Sequence, residues 1–167
     1  MLMYAVHSNN EVAFDILLKL NADLKWRNNT GANILQILAK KGLMGMAEKC
    51  WRILENKSAE ERDKFINNQS YNGNLHPPLL ISYLFLTHLF HNCLAGWTPL
   101  HAAIHNSHDV FTKWLLQRGA DPSLAMGTGW TPSHEAALRK KENSYKSLTV
   151  LLEEGQKDAS ALKASHW

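Results

Sequence analysis

Three histidines lie close together along the chain, at a spacing that could present imidazole nitrogens to a metal ion. His101, His105 and His108 stand four and three residues apart, so on a helix they would share one face. Neutral imidazole is a common zinc ligand. A second signal, His134-Glu135, begins like the His-Glu-x-x-His motif of zinc proteases, but Leu138 stands where the second histidine would be. The first cluster is therefore the metal candidate to weigh.

Other catalytic chemistry has little support in the residues. The sequence contains no Gly-x-Ser-x-Gly nucleophile turn and no glycine-rich phosphate-binding loop. A formal net charge of +3, with 20% charged residues, does not amount to the clustered basic stripe of a nucleic-acid-binding domain. We therefore expect no enzymatic activity, no cofactor or small-molecule ligand and no nucleic-acid partner.

Cysteine usage and the first residues bear on the compartment. The chain has two cysteines, Cys50 and Cys93, in 167 residues, which cannot build a disulfide framework and which suggest a reducing environment. The sequence runs from Met1 directly into apolar residues, without the basic segment that opens a secretory signal. We expect a cytoplasmic protein, with the nucleus as a second possibility.

Two stretches of the chain repeat one pattern. Residues 96–121 read GWTPLHAAIHNSHDVFTKWLLQRGAD and residues 129–137 read GWTPSHEAA, with Thr98 and Thr131 separated by 33 residues. Leu2 and Leu35 show the same separation upstream. The pattern resembles the ankyrin repeat, which begins G-x-T-P-L-H-x-A and ends L-L-x-x-G-A-D.

The residues of the near-complete repeat also make physical sense by themselves. Thr98 is a suitable helix N-cap, and the proline after it is tolerated in a first helical turn. Val110, Phe111, Trp114 and Leu115 recur at helical spacing and predict an apolar face on a second helix. Gly119 is suited to end that helix in a left-handed conformation, and Cys50, beside Trp51, is predicted to be a core residue.

The resemblance implies an all-α fold, an ankyrin-repeat solenoid of stacked helix–turn–helix units with short hairpin-like turns. We predict one domain over residues 1–155, with repeats at about 1–27, 28–69, 96–125 and 126–155, and a C-terminal tail at 156–167. Repeats one, two and four are degenerate, and repeat two reads Asn33-Ile34-Leu35-Gln36 in place of Thr-Pro-Leu-His.

The resemblance also changes the interpretation of the histidine cluster. In ankyrin repeats the histidine of T-P-L-H holds the hairpin and the next repeat by hydrogen bonds, which implies a structural role for His101. His108 matches the family's turn between the two helices, where it is again structural. Only His105 is then left free, so we expect no metal site.

Residues 74–95, NLHPPLLISYLFLTHLFHNCLA, interrupt the repeat pattern. A membrane helix is one interpretation, but the apolar stretch Leu79–Phe90 is far shorter than the ~20 residues that a span needs. An exposed apolar loop is another. We favour a translated intron, because Gly73-Asn74 can be encoded GGT-AAY, with a splice donor, and Ala95-Gly96 can be encoded GCA-GGN, with an acceptor. Removing the stretch rejoins one glycine codon in frame.

Repeat two is longer than the period even after that removal. The charged run Glu55–Lys64 holds the extra length and is typical of a solvated helix extension or loop.

Protein binding is the function that the resemblance implies. Ankyrin proteins bind partners along a concave groove lined by the turn tips and by the exposed face of each first helix. Trp97 and Trp130 are one period apart, so we expect them side by side and exposed, and tryptophan is enriched among interface hot spots. Carried over position by position, the predicted partner-binding residues are Asn29, Thr30, Lys40, Lys41, Tyr71, Asn72, Trp97, His105, Asn106, Thr128, Trp130, Leu138 and Arg139.

We therefore expect a scaffold that binds another protein, identity unknown, with no membrane partner. Two alternatives stay open: an ankyrin-type inhibitor or regulator of a transcription factor, and a fragment of a larger adaptor, channel or enzyme. Repeat one begins without its hairpin, which favours the fragment interpretation.

Overall fold

The computed structural model describes residues 1–70, 96–138 and 149–153. Those stretches contain short helices, no strand, and no helix that is long and apolar enough to cross a membrane. Residues 149–153 are also helical, and the helices with described bounds are α1 (Leu2–His7), α2 (Glu11–Lys19), α3 (Ile34–Lys41), α4 (Met44–Glu55), α5 (Ala59–Ile66), α6 (Pro99–His105), α7 (Asp109–Leu116) and α8 (Pro132–Leu138). The all-α prediction is confirmed.

The helices follow one another as stacked pairs. Within a repeat, α1 packs on α2, α3 on α4 and α6 on α7. Between repeats, the first helices stand next to one another, since α1 packs on α3, α3 on α6 and α6 on α8. Small or compact buried residues at the contact, such as Ala39, Ala102 and Ala103, allow the helices to approach closely. The predicted solenoid of helix–turn–helix units is confirmed.

The first helices of repeats two and three, α3 and α6, each begin with a reciprocal cap. The Thr98 hydroxyl accepts from the His101 N–H, and His101 Nδ1 accepts from the Thr98 N–H, with Pro99 in the first helical turn. In α3, Asn33 Oδ1 accepts from the Gln36 N–H at 3.1 Å and Gln36 Oε1 accepts from the Asn33 N–H at 2.8 Å. Asparagine and glutamine therefore provide the same two hydrogen bonds as threonine and histidine, and the loss of the signature in repeat two does not weaken its cap.

The second helix of the third repeat has a narrower apolar face than the sequence suggested. Phe111, Trp114 and Leu115 are buried in the core, but Val110 is 76% exposed, so its predicted burial is wrong. A residue one position before Phe111 is turned by about 100° around the helix axis, which points Val110 to solvent. Gly119 has a φ of +89° where the helical turn ends, as expected. Cys50 is fully buried, which confirms it as a core residue.

Three hairpins precede α3, α6 and α8, and all three are closed by the same two backbone hydrogen bonds. Asn28 N–H donates to Ala32 O and Gly31 N–H donates to Asn28 O, at 3.0 and 2.9 Å. Met126 N–H donates to Trp130 O and Gly129 N–H donates to Met126 O, each at 2.8 Å.

The hairpin before α6 is closed by residues from both sides of the predicted insert at 74–95. Ser70 N–H donates to Trp97 O at 2.9 Å, and Gly96 N–H donates to Ser70 O at 2.6 Å. Ser70 therefore takes the place of Asn28 and Met126. The predicted insert at 74–95 and the tail at 156–167 lie outside the described residues, and their boundaries stay predictions.

The charged run that lengthens repeat two forms a helix. Ser58 caps α5 by accepting from the Glu61 N–H at 3.2 Å, and two glutamates in the first turn suit the positive end of the helix dipole. The last turn buries Phe65 and Ile66. The sequence predicted a solvated helix extension or a loop here, and the structure instead has a separate helix with its own cap and an apolar last turn.

Candidate partner-binding surface

The hairpins and first helices form a continuous row because buried polar side chains join each hairpin to the next. Gln36 Nε2 donates to Trp97 O, and His101 Nε2 lies 3.2 Å from Trp130 O. Asn68, 3% exposed, donates through Nδ2 to Gly31 O at 3.1 Å. The carbonyls of Trp97 and Trp130 belong to the hairpin of the next repeat, and Asn68 joins the end of repeat two to that repeat's own hairpin. The row is therefore cross-linked at its base by buried and partly buried hydrogen bonds.

His101 must be neutral to make these contacts. Its Nδ1 accepts from the Thr98 N–H at 3.3 Å, which places the proton on Nε2, and Nε2–H then donates to Trp130 O. Burial lowers the pKa of His101 below its usual range, although the hydrogen bond to Trp130 and the nearby charge of Glu135 oppose the shift. The structural role that the resemblance implied for this histidine is confirmed.

The hairpin tips are the outermost part of the row. Asn29 and Thr30 are exposed at the tip before α3, and Thr128 is exposed at the tip before α8. Asn28 holds the first tip from inside, because its Oδ1 accepts from the Thr30 hydroxyl at 2.7 Å and from the Ala32 N–H at 2.9 Å. Tyr71 and Asn72, predicted for the middle tip, lie outside the described residues.

The two predicted tryptophans are half-buried, which corrects the expectation that they would be exposed. The Trp97 ring packs on His105, with centroids 4.9 Å apart, and stacks on His101 at 6.5 Å and 23°. Trp130 packs on His134 at 5.4 Å. Each indole therefore covers the histidine that lies four residues further along the chain. Both contribute to holding the hairpin against the helix, and each leaves only part of its ring for a partner.

His105 is not free, which corrects the sequence interpretation. Its Nδ1 lies 2.7 Å from Glu135 Oε1, and the two side chains are only 16% and 5% exposed. Glu135 occupies the position of Ala102 in the preceding repeat, so an acid where that repeat has alanine was the signal that could have revealed the pair. The contact joins α6 to α8. It makes His105 a stacking residue as well as a candidate for partner contact.

The ends of the first helices carry the remaining predicted residues. Lys40 and Lys41 are exposed at the end of α3, where Lys41 Nζ donates to His7 O at 3.0 Å. Asn106, half-buried, follows α6 and donates through Nδ2 to Ala102 O at 2.8 Å. Leu138 is 57% exposed at the end of α8, and Arg139 lies outside the described residues. The row therefore exposes positive charge at the end of α3 and apolar surface at the end of α8.

The three clustered histidines have separate partners. His101 binds Thr98 and Trp130, His105 binds Glu135, and His108 Nε2 lies 3.3 Å from Lys40 O. Within the stretches that the structure describes, no three metal-ligating side chains come together.

A cavity of about 630 Å³ lies where α5 approaches the end of the first repeat. Leu54 and Phe65 form part of its apolar lining, and Asp23, Arg27 and Lys57 are among the charged residues around it. Sequence reasoning missed this cavity because it depends on α5, which falls outside the repeat period and has no counterpart in the described parts of the other repeats.

Comparison with known proteins agrees with this architecture. The family model for ankyrin repeats, in three copies, matches residues 69–161. The chain belongs to the ankyrin-repeat family. Ankyrin repeats generally mediate protein–protein interaction, and such domains are typically non-catalytic.

The ankyrin-repeat chain also resembles a human protein, the 2-5A-dependent ribonuclease. The two sequences are 46% identical over 43 residues, which is 26% of this chain and 6% of the ribonuclease. The chain therefore corresponds to a small part of that relative.

Proposed function

We propose that this ankyrin-repeat chain is a scaffold that binds a partner protein along the row of hairpin tips and first helices. The observation that carries the proposal is the way the row is held. Gln36 and His101 lock each hairpin base to the next from inside the protein, while Asn29, Thr30 and Thr128 remain exposed at the tips. A surface fixed before binding loses little conformational entropy when a partner docks.

The chemistry of the row favours a partner with acidic and apolar side chains. Lys40 and Lys41 provide exposed positive charge at one edge, and Leu138 provides exposed apolar surface at another. The partly covered rings of Trp97 and Trp130 add aromatic contact area that needs little further ordering. Partner-binding roles for Tyr71, Asn72 and Arg139, which lie outside the described residues, belong to the same proposal.

The proposal is tested with variants that alter the tips without entering the core. Lys40→Glu combined with Thr128→Arg changes two exposed residues of the row. Lys113→Glu combined with Gln117→Arg makes the same kinds of change on α7, again at exposed positions. Each chain is immobilised, bound proteins are captured from cells that express it, and every captured protein is quantified against the unchanged chain.

We expect at least one protein to be retained by the α7 variant and depleted by the row variant. The purified partner should then bind the row variant with a Kd raised about tenfold or more, as expected when one or two contributing contacts are lost. If both variants lose the same proteins, or the row variant loses none, the row is not the binding surface.

A second candidate is that the chain is the repeat portion of a larger protein. The match to a relative of which it covers 6% supports this interpretation, and full-length transcript sequencing tests it. A regulator of a transcription factor would be a scaffold of this kind whose partner protein is that transcription factor. We place either role in the cytoplasm or nucleus, where the thiol of Cys50, whose pKa burial raises to about 12, stays reduced.

A further inference from the structure

The outer face of the first repeat carries large apolar side chains in contact with solvent. Tyr4 on α1 is 78% exposed, Ile16 on α2 is 53% exposed, and Leu20 just after α2 is 72% exposed. Scattered exposed apolar residues are ordinary on a protein surface. These three matter because the repeat period relates each of them to residues of the later repeats whose surroundings are known.

The position of Tyr4 is buried in each of the three later repeats. Its equivalents are Ile37, Ala102 and Glu135, which are only 7%, 3% and 4% exposed. Glu135 shows what covers this position, because its carboxylate contacts His105 of the repeat before it at 2.7 Å. In the first repeat the same position holds an uncovered aromatic ring.

The residues equivalent to Ile16 in the second and third repeats contact the preceding repeat. In the second repeat it is held by Lys49, whose Nζ binds back to Asp15 of the first repeat at 2.7 Å. In the third repeat it is held by Trp114, whose ring meets Trp51 of the second repeat edge-on at 6.0 Å. Both equivalents therefore reach toward the preceding repeat.

The position of Leu20 reaches toward the preceding repeat in the third repeat, whereas its equivalent in the second, Ile53, is 39% exposed. Its equivalent in the third repeat is Arg118, whose guanidinium lies 5.8 Å from the ring centroid of Trp51 in the preceding repeat. Val12 differs from Tyr4 and Ile16, because both of its equivalents, Gly45 and Val110, are exposed as well. Exposure of Val12 is thus normal for its position, and Val12 provides a matched control.

We infer that the face formed by Tyr4, Ile16 and Leu20 is a stacking interface for a further ankyrin repeat, contributed by a longer form of this polypeptide. The interface continues one that already exists between the first and second, and the second and third, repeats. In each of those contacts the preceding-side face of one repeat meets the opposite face of its neighbour. Two copies of this chain meeting through their first repeats would instead place two like faces together, so a second copy does not reproduce the contact.

The test joins one consensus ankyrin repeat to Met1 in register and measures thermal unfolding with and without it. We expect the added repeat to raise Tm by at least about 5 °C, since stack stability grows with each well-paired interface. Ile16→Lys with Leu20→Lys should remove most of that gain, whereas Val12→Lys should preserve it. Without the added repeat, the double variant should unfold close to the unchanged chain, because both side chains are already exposed.

Three results would overturn the inference. One is an added repeat that raises Tm equally in the Ile16→Lys, Leu20→Lys variant and in Val12→Lys. Another is an added repeat that does not raise Tm at all. The third is a dimer of the unchanged chain in sedimentation that the double variant dissociates, which would make a second copy the occupant. Sequencing the 5′ end of the transcript addresses the origin of the repeat: an in-frame repeat upstream supports it, and an in-frame stop without one contradicts it.

Discussion

The hairpin before α6 is closed by Ser70, Gly96 and Trp97 in the same way as its two neighbours, although 25 residues, 71–95, separate Ser70 from Gly96. In the other hairpins two residues fill that interval, Asn29 and Thr30 in one of them. Deleting residues 73–95 leaves Tyr71 and Asn72 as the tip. The deletion is also what removal of the predicted intron would produce, since it leaves a single glycine before Trp97.

Loop-closure entropy sets the size of the expected effect. Each doubling of a flexible loop costs roughly 0.6 kcal/mol, and the change from 25 residues to two spans between three and four doublings. The deletion should therefore stabilise the fold by about 2 kcal/mol. For a chain of this length that corresponds to a rise in Tm of about 4–8 °C.

The assay is thermal and urea unfolding of three proteins followed by circular dichroism. The first is the unchanged chain, the second carries the deletion of 73–95, and the third has 71–95 replaced by a Gly/Ser segment of equal length. We expect the second to show the higher Tm and the third to match the unchanged chain. A deletion that lowers Tm, or a Gly/Ser segment that lowers it, would refute the reasoning, because the segment would then contribute contacts of its own.

Two further predictions concern the contacts between repeats. His101→Ala should lower the free energy of unfolding, measured in urea, by about 2–3 kcal/mol, because buried partners lose their hydrogen bonds. His101→Gln should lower it by about 1 kcal/mol or less, since Gln36 makes the equivalent hydrogen bonds in the second repeat. The pKa of His101 is lower in the folded protein than in the unfolded chain, so the unfolded chain binds more protons and stability should fall as pH drops below 6.5. The pH dependence of stability should be weaker in His101→Gln. An unchanged pH dependence in that variant would contradict the assignment to His101. Gly42→Ala should lower the free energy of unfolding by about 2 kcal/mol, because Gly42 has a φ of +71° and an added Cβ would lie 2.8 Å from His108 Cε1. In a double-mutant cycle, His108→Ala should recover part of that loss. Strictly additive effects of the two substitutions would exclude the clash.

The parts of this structure that could be predicted from sequence are those that follow the repeat period. Thr98 and Pro99 fix the start of α6, the spacing of 33 residues places α8, and the pattern from Phe111 to Leu115 predicts the buried face of α7. Each follows from local rules for caps and helical periodicity, which operate within a few residues. Local rules of this kind transfer directly from sequence to structure.

Contacts between repeats were harder to predict. The pairing of His105 with Glu135 joins residues 30 positions apart, and neither residue type is part of the repeat signature. The packing of Trp97 over His101 and His105 lies within one repeat and was missed for a different reason, because the spacing of the signature does not fix the direction of the indole ring. The cavity beside α5 depends on an element that the other repeats lack over residues 1–27, 96–138 and 149–153.

The degenerate second repeat shows which feature of the signature the stack requires. Asn33 and Gln36 retain the reciprocal cap and the hydrogen bond to the next hairpin while changing both residue types. The requirement is thus an acceptor at the cap and, three residues later, a side chain that accepts from the cap's N–H and donates to the following unit. Histidine meets it only when neutral, whereas glutamine meets it at any pH. The hydrogen-bonded contact between repeats that His101 makes should therefore weaken in acid before the contact that Gln36 makes. Acidification should separate the third repeat from the fourth before it separates the second repeat from the third.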